Sequence, residues 1–320
     1  SIYAESMDVQ VSLPWSQITH FLYMTMEKSV RPIYKDHLPA ATQLRYLSLE
    51  FGEDDFAQFD LDFLNHGPSD IQYNSLEWLT INFWASDIGV LYPLFLEAAA
   101  FPNLKCLRIP GPDWNFDEHR SLWPPVLEER FIVKLKALTH LEYFSLCVHR
   151  SSPATLERVF RAIPTVRTLD LHIYDNYEFV FETLTHREDP TDSLLPYLST
   201  LVIEAGYSRA HDTFAGEDSD DEDLQPIDAS AFQTFLESRT HCPEEFRLRR
   251  VVVYGACDGD LDETRVKFIR CLNGFRSRGL EVDLRLLMDE ARIASRGTSN
   301  CLWLDRDPTF EQWREARIVE

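Results

Sequence analysis

Ile163-Pro-Thr-Val-Arg-Thr-Leu-Asp-Leu171 decides the fold, because its core, Val166-x-x-Leu169-x-Leu171, returns along most of the 320 residues. The pattern recurs at Ile18/Phe21/Tyr23, Leu44/Leu47/Leu49, Leu76/Leu79/Ile81, Leu104/Leu107/Ile109, Leu141/Phe144/Leu146, Leu198/Leu201/Ile203 and Leu248/Val251/Val253. With the first, that makes eight copies. Their starts lie 26, 32, 28, 37, 25, 32 and 50 residues apart, an irregular spacing that signals insertions between units. Gly279-Leu-Glu-Val-Asp-Leu-Arg-Leu286 alternates apolar and polar residues and predicts a ninth, terminal strand.

Helical signals fall between the copies. Leu156, Val159, Phe160 and Ile163 are spaced i, i+3, i+4, i+7, with Pro153 suited to a first helical turn. Phe268, Cys271, Leu272 and Phe275 repeat the spacing, with Asp262 as N-cap and Gly279 as stop. Leu127, Phe131, Leu135 and Leu138 mark a helix behind Pro124-Pro125, and Gly89 to Phe101 and Ala229 to Cys242 are read as two more. Proline turns, as in Phe101-Pro-Asn, Ile163-Pro-Thr and Leu195-Pro-Tyr, end the preceding segment and aim the chain into a strand. A strand and a returning helix cannot bury their apolar faces alone, so the expected fold is α/β, a solenoid-like arc of stacked parallel strands backed by helices.

Domain organisation follows. Residues 1–287 read as one irregular repeat domain, interrupted at about 207–228 by an acidic loop predicted to be disordered. Residues 288–320 read as a capping tail with a helix carrying Phe310 and Trp313.

The net charge is -22, from 53 acidic against 31 basic residues. Such a balance disfavours phosphate backbones and anionic membranes, so neither nucleic acid nor membrane is an expected partner. The six cysteines form no C-x-x-C pair, which fits reduced thiols and a cytoplasmic or nuclear location. No apolar run reaches the length of a membrane helix, and no basic-then-apolar leader opens the sequence.

The copies resemble leucine-rich repeats. Leu13-Pro-Trp-Ser-Gln-Ile-Thr-His20, Phe101-Pro-Asn-Leu-Lys-Cys-Leu and Leu138-Thr-His-Leu-Glu-Tyr-Phe are similar to the repeat region of fungal F-box proteins, over roughly Val11 to Leu286. The resemblance implies a protein-interaction module that presents substrates for ubiquitin ligation, with an upstream F-box docking the adaptor of a cullin-RING ligase. No F-box pattern is visible in this chain. A second departure concerns the Asn or Cys ladder of regular repeats, whose sites are here Gly52, Trp84, Pro112, His149, Tyr174 and Gly206. Its absence predicts an irregular arc held mainly by apolar packing.

Strand alternation puts three rows on the concave face. The top row reads Met24, Glu50, Asn82, Pro110, Cys147, His172, Glu204, Tyr254; the middle, Leu22, Ser48, Thr80, Arg108, Ser145, Asp170, Val202, Val252; the lower, His20, Tyr46, Trp78, Cys106, Tyr143, Thr168, Thr200, Arg250. Tyr46, Trp78 and Tyr143 are large rings on a face that core packing does not require, and such rings anchor interfaces or pack on one another. Glu50, Asn82, Trp84, Arg108, Asp170, His172 and Glu204 complete the expected partner-binding set. The acidic balance favours a protein partner with a basic segment.

Catalytic and cofactor readings are weaker. Cys147, His172 and Glu204 share one row position in three consecutive copies, with Asp170 and His149 near, and have the ligand types of a zinc site or a thiolate-histidine pair. Polar ladders account for most such rows. The phosphate-loop, dinucleotide, metalloprotease and nucleophile-elbow patterns are absent, so no cofactor and no enzymatic activity are expected. An acidic leucine-rich GTPase activator would show regular repeats and an asparagine-rich rim, and neither occurs. Ser219, followed by Asp220, Asp221 and Glu222, is a candidate phosphosite for an acidophilic kinase.

Overall fold

A computed structural model describes residues 2–4, 14–25, 38–51, 72–83, 100–109, 125–148, 152–173, 177–187, 193–205, 229–256 and 263–287. Ten parallel strands pair in sequence order in one open sheet. They are β1 (Ile2–Ala4), β2 (His20–Thr25), β3 (Tyr46–Phe51), β4 (Trp78–Phe83), β5 (Cys106–Ile109), β6 (Tyr143–Val148), β7 (Thr168–Ile173), β8 (Thr200–Ala205), β9 (Arg250–Ala256) and β10 (Glu281–Leu287). All eight copies and the terminal segment supply strands, and β1 adds one that the sequence pattern does not announce.

Each copy enters its strand through the same device. The carbonyls of Thr19, Arg45, Glu77, Lys105, Glu142, Arg167 and Ser199 each accept two backbone N–H groups from the next unit, at 2.8–3.0 Å. Before them come four-residue turns whose first carbonyl accepts from the fourth N–H: Phe101 to Leu104 at 3.3 Å, Ile163 to Val166 at 3.2 Å and Leu195 to Leu198 at 3.1 Å. Proline at the second position of these three turns presets φ and has no N–H to lose. The first and fourth residues are buried, so each turn pins the chain to the core at both ends.

A side-chain ladder does exist, but on these turns. Ser75 donates to the carbonyl of Thr42 at 3.0 Å, Asn103 to that of Asn74 at 2.7 Å and Thr165 to that of Leu141 at 2.7 Å. These rungs add to the apolar packing and leave the expected absence of an Asn or Cys ladder untouched. The conventional ladder sites lie outside the described residues.

Five helices are described: α1 (Pro125–Ala137), α2 (Pro153–Ala162), α3 (Tyr177–Leu184), α4 (Ala229–Thr240) and α5 (Glu263–Arg276). Successive helices pack side by side, and Phe131, Phe160, Phe181, Phe232 and Phe235 share one core with the inward leucines of the strands. α2 starts as its sequence dictates: Ser152 accepts from the Thr155 N–H at 3.1 Å, and Pro153 follows the cap. Past the end of α5 at Arg276, Gly279 with a φ of 98° lets the Leu280 N–H reach back to the Phe275 carbonyl at 3.2 Å. The predicted helix at Gly89 to Phe101 lies outside the described residues except for Ala100 and Phe101, of which Ala100 forms a bridge to Gln72. Asp262, the acidic loop and the tail also lie outside them.

No described helix is long and apolar enough to cross a membrane. Among the described residues Cys106, Cys242 and Cys271 form no disulfide.

Candidate functional site

On the sheet face opposite the helices, the lower row forms a continuous line of rings. His20 and Tyr46 lie 5.9 Å apart between centroids with planes 21° apart, Tyr46 and Trp78 6.0 Å and 26°, Trp78 and Tyr143 5.7 Å and 31°. The backbone register explains the line, since His20, Tyr46, Trp78, Cys106 and Tyr143 pair across five consecutive strands. Cys106 is the small residue of the row. It is buried, and over it Trp78 and Tyr143 lean together from strands two rungs apart.

Two of the rings reach the middle row with their polar atoms. The Trp78 indole N–H donates to Thr80 Oγ1 at 3.3 Å, and the Tyr143 hydroxyl donates to Asp170 Oδ2 at 2.8 Å, an oxygen that Ser145 also reaches at 3.3 Å. Thr80, Arg108, Ser145 and Asp170 are accordingly 8%, 2%, 0% and 0% exposed. This corrects the expectation for Arg108 and Asp170: both stand on the predicted face, yet neither is presented. Register aligns them through Ser145, so an arginine and a carboxylate form the floor beneath the rings.

Tyr46, Trp78 and Tyr143 are half-buried, which joins the two expectations for them: they pack on one another and still reach the surface. His20, exposed at the end of the line, belongs to the same set. Its row position signalled this, although aromaticity alone singled out the other three. Partial burial, with Arg45 adding to it, pushes its imidazole below the ordinary value, which favours the neutral ring at the end of the stack.

Burial, then the Asp170 carboxylate, pushes the Tyr143 phenol well above its ordinary value, with Arg108 opposing. Here the folded chain holds the phenol proton more tightly than the unfolded one. The stabilisation is complete below the unfolded phenol's pKa of about 10 and is lost as pH rises towards the folded value. Urea midpoints should therefore fall above about pH 10. Tyr143→Phe should shallow that fall while costing about 1–3 kcal/mol at neutral pH, because the buried Asp170 carboxylate loses one of its donors. Buried Tyr73, shifted in the same direction, leaves a residual slope.

The row proposed for metal or thiol chemistry is aligned in the backbone: Cys147 pairs with His172 and His172 with Glu204. Glu50 and Asn82 pair likewise in the same row, on β3 and β4. The side chains of all five residues lie outside the described set, as do Trp84, His149 and Ser219 entirely. Among the described residues no three His, Cys, Asp or Glu side chains converge in a way that could hold a metal ion.

A groove of about 400 Å³ opens on the turn edge, lined by Arg45, Asn74, Ser75, Glu77, Asn103, Lys105 and His140. Glu77 lies at its centre and bridges Arg45 at 3.0 Å and Lys105 at 3.4 Å, so its cations already have a counter-charge. These exposed pairs add little stability. The chain matches no protein-family model and no curated protein.

Proposed function

We propose that this chain is a leucine-rich-repeat-type recognition module without enzymatic activity, serving as the substrate-receiving part of an F-box-type ubiquitin ligase subunit. The sequential parallel sheet with Leu-x-x-Leu-x-Leu rungs supports the repeat reading. The phrases Leu13 to His20 and Phe101 to Leu107, similar to the repeat region of fungal F-box proteins, support the ligase reading, in which an F-box outside these residues docks the cullin-RING adaptor. The observation that carries the binding role is the ring line His20, Tyr46, Trp78 and Tyr143. Partly exposed rings fixed by neighbours lose little entropy when a partner covers them, which is the character of interface anchors.

The test is quantitative capture from cells with the wild-type chain and with Tyr46→Ala/Trp78→Ala/Tyr143→Ala, after circular dichroism has shown equal secondary structure. Proteins enriched on the wild type should drop by about thirtyfold or more on the triple variant, as expected for loss of anchors worth about 2 kcal/mol or more. Those proteins should also live longer in cells depleted of this chain. Unchanged capture overturns the binding face, and unchanged lifetimes overturn the ligase role.

A further inference from the structure

Centroid distances of 5.7–6.0 Å with planes 21–31° apart are too short for rings lying side by side in one plane. They are also too long for full face overlap, where carbon atoms touch at about 3.5–4.0 Å. The rings therefore overlap like roof tiles, each covering part of the next. Trp78 and Tyr143 are both partly exposed, so some of their ring surface remains within reach of a partner.

The polar atoms of these two tiles point the other way. The Trp78 N–H is taken by Thr80 and the Tyr143 hydroxyl by Asp170. The outer surface of the line thus offers electron-rich carbon rather than a donor for a partner carbonyl or carboxylate. A phenol that donates to a buried carboxylate becomes richer in π density, and Asp170 acts on Tyr143 more strongly than Arg108 does. The chain as a whole carries a net charge of -22, which draws cations towards it.

We infer that the Trp78 and Tyr143 tiles seat an arginine side chain of the partner, its planar guanidinium stacked on the exposed π surface. This inference rests on the proposed binding role and names the anchor that the role requires. Arginine fits better than lysine because a planar, weakly hydrated cation stacks on a ring face, whereas an ammonium keeps its water.

The experiment titrates the full 320-residue chain, labelled with nitrogen-15, with three synthetic heptapeptides: Gly-Arg-Gly-Arg-Gly-Arg-Gly, its lysine analogue and its citrulline analogue. Backbone N–H resonances are followed in the wild type, Trp78→Phe and Trp78→Leu, and the Trp78 indole N–H in the wild type. The leucine variant keeps apolar bulk and removes the π face. The arginine peptide should shift the Trp78 resonance and bind about twofold to thirtyfold more tightly than the citrulline peptide, the range of one cation on a ring. It should also exceed the lysine peptide, retain most affinity for Trp78→Phe and lose it on Trp78→Leu. Equal binding of the arginine and lysine peptides, undiminished by Trp78→Leu, would reveal only the attraction of an acidic chain and overturn the inference. Equal binding of the citrulline peptide would overturn it too. If the triple alanine variant still loses its captured proteins in that case, the binding face stands and only the arginine anchor falls.

Discussion

Arg239→Ala is expected to destabilise the chain by about 3–5 kcal/mol, as removal of a buried, fully hydrogen-bonded charge does. Arg239 sits in the last turn of α4 with 0% exposure. Its Nε and one terminal nitrogen donate to the Leu184 carbonyl at 2.9 and 2.8 Å; the same terminal nitrogen reaches Leu194 at 2.6 Å, and the other reaches Leu195 at 3.0 Å. It thereby caps the C-terminal end of α3 and fixes the turn that feeds β8. Burial lowers its pKa to about 10, which still leaves it charged at neutral pH.

The cost has three sources. Three carbonyls lose donors in a site closed to water, a void replaces the stem, and Leu195 loses a bond that helps hold its left-handed φ of 48°. A non-glycine residue pays about 1–3 kcal/mol for that conformation. Urea denaturation checks the prediction, and a loss below about 1 kcal/mol, the worth of one ordinary hydrogen bond, would refute it. Arg239→Lys should recover only part of the stability, since an ammonium cannot span the three acceptors as a planar fork does.

Leu169→Ala should cost about 2–5 kcal/mol. Leu169 is fully buried at the centre of β7, paired on one side with Phe144 and on the other with Leu201. Truncation removes apolar burial and leaves a cavity that two flanking rungs cannot close without leaving their own register. In a stack where each unit touches only its neighbours, the damage should be local first. Hydrogen exchange should accelerate in β6, β7 and β8 while β2 and β3 keep their protection. Uniform acceleration along the sheet would show instead that the array opens as one unit.

The period-2 and helical patterns that predicted the strands and α1, α2, α4 and α5 were legible because burial on one side imposes them residue by residue. Two elements escaped the sequence reading for definable reasons. β1 is three residues long, too short to display alternation. α3, Tyr-Glu-Phe-Val-Phe-Glu-Thr-Leu, is apolar on most positions, so no single face stands out in its pattern. Arg239 gave no signal either, because an arginine beside Glu237 and Thr240 in an amphipathic segment reads as a solvated helix face. Its acceptors come from residues 44 to 55 positions earlier.

By itself the sequence determined the order and direction of the rungs, the inward residues of each, and which residues share a row on the opposite face. These are local properties, set by alternation within a strand and by turns such as Ile163-Pro-Thr-Val166. Only the tertiary structure decided what each row becomes. Arg108 and Asp170 hold positions equivalent to surface residues, yet both are buried, and the Tyr143 hydroxyl from the neighbouring strand donates to Asp170. Burial there depends on the size of side chains up to two rungs away, with small Cys106 letting Trp78 and Tyr143 meet. Rows of rings and charges combine across strands far apart in sequence, so packing among them is invisible until the strands are stacked.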